Sequence, residues 1–144
     1  MANMIRKMQP KEIDNVGNIW LQGNLEAHPF VKKDYWIGNL NSVKEQLKEA
    51  EIYVSVDKNQ IVGFAGLQGN YLAGIFVKKE YRSRGVGRKL LVYLKQEYSE
   101  LSLDVYSKNI QAKKFYLRNG FKVIHKDIDE STDEVEYQMI WRRG

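Results

Sequence analysis

The chain contains no cysteine. No disulfide framework can form, and neither a thiol nucleophile nor a cysteine-based zinc site is available. Histidine is almost as scarce, with only His28 and His125. These two do not supply the ligand set of a histidine-rich metal site, so no metal is expected. No apolar run approaches the roughly 20 residues of a membrane-spanning helix. The opening MANMIRKMQP lacks the apolar core of a secretory signal. Together these absences predict a soluble cytoplasmic protein without a membrane partner. Proline is confined to Pro10 and Pro29, and no repeat, linker or low-complexity tract interrupts the chain. Residues 1–144 therefore read as a single domain, long enough to bury a real core.

What the chain does have is positive charge, a formal net of +5. Much of it sits in VKKEYRSRGVGRKLL, residues 77–91, where Lys78, Lys79, Arg82, Arg84, Arg88 and Lys89 face one acid, Glu80. Such clustering favours a local anion site over a broad basic face. A single aromatic, Tyr81, interleaves these basic residues, too few for the stacking platform of a nucleic-acid surface, so no nucleic-acid partner is expected. Gly85 and Gly87 allow torsions and close approaches that side chains forbid. Val86, Leu90, Leu91 and Leu94 then mark one face of a helix. The first amides of a helix have no internal partner, and its dipole adds positive potential there. A strand, a glycine loop and a helix start thus make a phosphate cradle. The Walker spacing is absent, and Leu90 stands where a dinucleotide fingerprint needs its third glycine.

The remaining elements follow from periodicity. NMIRKM reads as a first strand, and Pro10 suits the first turn of a helix over residues 10–25. EAHPF interrupts it. Trp36, Leu40, Val43 and Leu47 predict a second helix ending near Ala50. Ile52, Val54 and Val56 alternate with polar neighbours, as in a half-buried strand. Residues 57–60 and 68–70 supply turns for a three-stranded meander. LSLDVY alternates as a strand, Asn109 is a good cap for the next helix, and Asn119-Gly120 ends it. FKVIHKDI and EVEYQMIW pair as a final hairpin, with the acidic residues 127–134 as a solvated turn. The order is β-α-α-β-β-β-α-β-α-β-β, a mixed α/β (α+β) fold with a largely antiparallel seven-stranded sheet flanked by helices.

Arg82-Ser83-Arg84-Gly85-Val86-Gly87 resembles the (Gln/Arg)-x-x-Gly-x-(Gly/Ala) motif of the GNAT superfamily of N-acetyltransferases. Asn109-x-x-Ala112-x-x-Phe115-Tyr116-x-x-x-Gly120-Phe121 is similar to a second segment of that family, at the expected distance downstream. The element order matches from end to end, and AHPFVKKDYW looks like small stand-alone bacterial members. The resemblance implies acetyl-CoA as co-substrate, with its pyrophosphate on the amides of residues 82–88, Arg88 included. It also implies that the pantetheine arm lies along the backbone of Ile75, Phe76 and Val77, where an N–H stabilises the oxyanion. Tyr116 stands at the family's general-acid position and is protonated at neutral pH. Asn109 caps its helix, and the family also places it against the cofactor.

The acceptor side is less specified. Some family members carry a glutamate on the strand before the loop, and Tyr71 occupies that position here. His28, Glu26, a water chain or solvent remain open as the proton acceptor. His28, Phe30, Tyr35, Trp36 and Tyr71 are the candidate acceptor-site residues. Trp20 is expected to pack the two helices together. A small-molecule amine and a protein lysine both fit, as does a protein that holds acyl-CoA without transferring from it. Either a monomer or a homodimer is compatible, with the final strand, ending at Trp141, as an exposed pairing edge.

Overall fold

A computed structural model describes residues 4–144; Asn3, at the head of the expected first strand, lies outside the described residues. The elements follow the expected order: β1 (Met4–Lys7), α1 (Ile13–Ala27), α2 (Lys33–Glu49), β2 (Glu51–Asp57), β3 (Gln60–Gln68), β4 (Tyr71–Val77), α3 (Val86–Glu97), β5 (Glu100–Tyr106), α4 (Ile110–Arg118), β6 (Lys122–Asp129) and β7 (Glu134–Arg142). Pro10 opens a separate 3-10 turn, Pro10–Glu12, rather than α1 itself. A second such turn, Lys79–Tyr81, follows β4.

All seven strands form one sheet in the order β1-β2-β3-β4-β5-β7-β6. Every neighbouring pair is antiparallel except β4 and β5. Lys58 and Asn59 both have positive φ, so the β2–β3 hairpin closes through a two-residue left-handed turn whose twist suits the strands.

Helices cover the sheet on both faces. Val16, Ile19 and Leu47 of α1 and α2 pack on Ile52, Val54, Ile61 and Phe64. Val86, Leu90, Leu91 and Leu94 of α3 and Tyr116 of α4 pack on the other face against Tyr53, Leu72, Leu101, Leu103 and Met139. This corrects the expectation of a half-buried β2. Tyr53 is 7% exposed and Ser55 is fully buried, because the strand is paired on both edges, to β1 and β3, with a helix layer on each face. β5 keeps its alternation: Leu101, Leu103 and Val105 are buried, and Asp104 is exposed.

Two further expectations are corrected at the C-terminal end. The acidic stretch is not one turn. Asp127 and Glu134 stand in the two hairpin strands, β6 runs on through Asp129, and only the short link between the strands turns, with Asp133 at φ +60°. Nor is the final strand an edge. β7 is paired on both sides, to β5 and β6, so β6 carries the free edge.

Candidate active site

The parallel pair β4 and β5 share one register pairing, Tyr71 with Ser102, supported by the Ser102 N–H donating to the Asn70 carbonyl at 3.1 Å. Beyond it no ladder joins them. The β3-facing side of β4 stays paired through Phe76 with Phe64 and Val77 with Gly63. The opposite edge of Ile75, Phe76 and Val77 therefore faces an opening in the sheet. Backbone groups there need partners from outside the sheet.

The loop from β4 to α3 closes one end of that opening. The first intrahelical bond of α3 runs from the Lys89 N–H to the Gly85 carbonyl. The amides of Val86, Gly87 and Arg88 are thus left without a carbonyl partner. Gly85, at φ +82°, is the N-cap, and a Cβ there would meet nothing within 4 Å. Glycine is required by torsion, not by space. Gly87 differs: a Cβ would lie 3.5 Å from the Phe115 ring and 3.8 Å from Ile75 Cγ2, ordinary contacts. Alanine fits at this second position, which is why the motif admits Gly or Ala there. Ser83 also takes a positive φ, +64°, so the loop is tightly wound.

Arg82 is placed differently from the other basic residues. Its Nε donates to the Val77 carbonyl at 3.1 Å, and its Nη1 meets Glu26 Oε2 at 2.6 Å. It straps the loop to the end of β4 and to α1. Arg84 lies 5.4 Å over the Tyr81 ring. Of the six basic residues in 77–91, Arg82 is in an ion pair, whereas Lys78, Lys79, Arg84, Arg88 and Lys89 form none among the described residues.

Tyr116 reaches the opening from α4. It is 7% exposed and packs edge-on against Phe115 and Phe121. Burial pushes its phenol above the ordinary tyrosine range, while the backbone amide of Ile75 at its oxygen pulls the other way. The candidate proton donor therefore touches the same β4 residue whose free edge faces the opening. Asn109 caps α4 through Oδ1, which accepts the Ala112 N–H at 3.2 Å.

The break between α1 and α2 brings the predicted aromatics together. His28 stacks on Trp36 at 5.4 Å and meets Phe30 at 5.5 Å, while Tyr35 meets Trp36 edge-on at 4.9 Å. Trp20 packs against Trp36 at 5.9 Å, as expected of a residue joining the two helices. The sequence reading missed Tyr106, whose ring lies 5.0 Å from His28 and 5.7 Å from Phe30. Its hydroxyl donates to Asp129 at 2.6 Å. Outward alternation in LSLDVY was the available signal.

Two carboxylates were also missed. The Tyr71 hydroxyl donates to Asp104 Oδ2 at 2.9 Å, across the strand pair where the sheet parts. Glu136 on β7 has its carboxyl pushed up, first by burial and then by Asp104, Asp129 and Asp127. The two side-chain bases weighed from sequence are both occupied. Glu26 is paired with Arg82, and the His28 nitrogens face the side-chain amides of Asn24 and Asn109. Burial lowers the His28 pKa to about 4. His125 stands exposed on β6.

This geometry agrees with what the chain is similar to. The acetyltransferase (GNAT) domain family matches residues 25–136. The peptidyl-lysine N-acetyltransferase YiaC of Escherichia coli K12 is 31% identical over 96% of both chains. The peptidyl-lysine N-acetyltransferase YjaB of the same strain is 32% identical over 85% of this chain and 84% of its own. The solution structure of apo YjaB from E. coli superposes with a TM-score of 0.88, at 28% identity, over the whole of both chains. An amide-lined helix start, a parted β4–β5 pair and a tyrosine at the opening thus occur together in a chain that belongs to the GNAT family of N-acetyltransferases, whose acetyl donor is acetyl-CoA.

Proposed function

We propose that this protein transfers the acetyl group of acetyl-CoA to the ε-amino group of a lysine in a protein or peptide, by direct attack with both substrates bound. The observation that carries the reading is the contrast across the opening. A basic loop with free helix amides lies at the α3 end, and the carboxylates Asp104 and Glu136 lie beyond the Tyr71 latch. An anionic donor and a cationic acceptor are each met by the opposite sign. The peptidyl-lysine relatives support the same acceptor class.

In this reading the amides of Val86, Gly87 and Arg88 hold the pyrophosphate, with Arg84, Arg88 and Lys89 at the rim. The residues present fit that group, because Gly85 keeps the approach to these amides clear. The free edge of Ile75, Phe76 and Val77 receives the pantetheine amides and supplies the N–H that stabilises the oxyanion. The thioester supplies an activated acyl carbon. Tyr116 hands its phenolic proton to the leaving sulfur. Asp104, held in place by Tyr71, attracts the lysine ammonium and accepts the proton that the amine must lose. The aromatic walls of Phe30, Tyr35, Trp36 and Tyr106 flank the lysine's alkyl stem.

Thiol release from acetyl-CoA across lysine peptides, polyamines, amino acids and aminoglycosides tests this. Lysine peptides are expected to give the highest kcat/KM. Asp104→Asn is expected to lower that value by roughly 10²-fold, with the KM for acetyl-CoA little changed. Turnover confined to small amines overturns the acceptor assignment. Acetyl-CoA binding without thiol release on any acceptor points instead to a protein that holds the donor without transferring from it.

The donor side has its own test. Gly85→Val places a β-branched residue at φ +82° and is expected to destabilise the fold by about 1–2 kcal/mol. The loop then relaxes away from the cradle geometry. The KM for acetyl-CoA should rise severalfold while the KM for the peptide holds. Equal change in both would show that the loop does not serve the donor.

A further inference from the structure

One partly buried polar chain joins the acceptor wall to the helix that carries Tyr116. Asn24 is 4% exposed, and its Nδ2 donates to the Trp20 carbonyl at 2.9 Å. Its Oδ1 lies 3.1 Å from His28 Nδ1. On the far side of the ring, His28 Nε2 lies 3.1 Å from Asn109 Nδ2. Asn109 Oδ1 accepts the Ala112 N–H and caps α4. The backbone partners fix the direction of both amides. Asn24 presents an acceptor to the ring and Asn109 presents a donor. Only the neutral ring with its hydrogen on Nδ1 satisfies both, since an imidazolium would set N–H against NH₂. Burial of the ring favours the same neutral form.

We infer that His28 is a positioning residue for acetyl transfer: it fixes the Asn109 amide and, through that cap, the seat of α4 from which Tyr116 reaches the opening. Tyr116 lies about two turns along from the cap, on a short helix that transmits a tilt at its start. The same ring is a wall of the aromatic box, in contact with Phe30, Trp36 and Tyr106. An acceptor stem entering that box therefore presses on the group that holds the proton donor's helix. The inference rests on Tyr116 being that donor.

The test compares His28→Phe, which keeps a ring but removes both nitrogens, with His28→Gln, which keeps an acceptor for Asn109 and a donor for Asn24. With acetyl-CoA and a lysine peptide, Phe is expected to lower kcat about tenfold, with less change in either KM. Gln should keep the larger share of kcat. A ring needed only for packing predicts the reverse order, and that result overturns the proposal. In a cycle with Asn109→Ala, the two losses in kcat should overlap, the double variant falling little below the worse single one. Additive losses overturn the coupling. If Tyr116→Phe alone leaves kcat intact, the proton-donor reading falls by itself. If Tyr116→Phe is impaired but His28→Phe lowers kcat by the same factor in that background, the route through α4 falls instead. Thermal melts of each variant confirm that folded protein is compared throughout.

Discussion

Tyr116→Phe is expected to lower kcat by roughly 10²–10⁴-fold, the range for loss of a general acid. The KM for acetyl-CoA should change far less, because the ring and its packing on Phe115 and Phe121 stay in place. The phenol is held above its ordinary pKa by burial. It therefore remains protonated through neutral and mildly alkaline pH, as a donor to a leaving thiolate must. Any alkaline limb in the pH profile should belong to another group and should survive in the variant. Loss of the buried hydroxyl is also expected to change stability, by no more than about 1–3 kcal/mol. Steady-state kinetics together with a denaturant melt separate the two effects. A variant with normal kcat and reduced stability would make Tyr116 a packing residue.

The largest effect on stability is expected from Phe64→Ala. Phe64 is 2% exposed at the centre of β3 and packs among Val16, Ile19, Leu47, Ile52 and Val54. It also stacks on Phe76 with centroids 5.2 Å apart. Phe-to-Ala changes at such sites cost about 3–5 kcal/mol, from lost burial plus the cavity left behind. Whole domains have only about 5–15 kcal/mol to lose. The cavity here has little prospect of refilling from Phe76. That ring already lies 2.5 Å from where a Cβ on Gly74 would sit and 2.8 Å from one on Gly23, so two glycines make its seat. Phe76 is also the middle residue of the β4 edge at the opening. Its loosening should raise the KM for acetyl-CoA in whatever fraction of the protein stays folded. Urea unfolding measures the main effect, and a loss below about 1 kcal/mol would show that the core collapses around the gap.

The relation between sequence and site differs from element to element. The helix start at Val86 was legible because the signal is local: Gly85 for a left-handed cap, then apolar residues at helical spacing. α4 was legible for the same reason, from Asn109 at one end to Gly120, at φ +91°, beyond the other. Burial of Tyr53 and Ser55 was not legible. Alternation reports one covered face, whereas a second helix layer arrives from far along the chain. The acidic stretch failed in the opposite way, since charge suggested a turn where Asp129 still pairs with Glu134 as a strand residue on a free edge, which tolerates charge.

By itself the sequence determined the order of elements, the glycine-capped loop into α3 and the helix bearing Tyr116, because torsional preference, capping and apolar periodicity act within a few turns of chain. Only the tertiary structure decided which side chains meet. Tyr71 finds Asp104 across 33 residues, Arg82 finds Glu26 across 56, and His28 finds Asn109 across 81. Each pairing follows from the placing of β5 beside β4 and of α1 on the face of β3 and β4. That placing is settled by burying two sheet faces at once, and no local pattern records it.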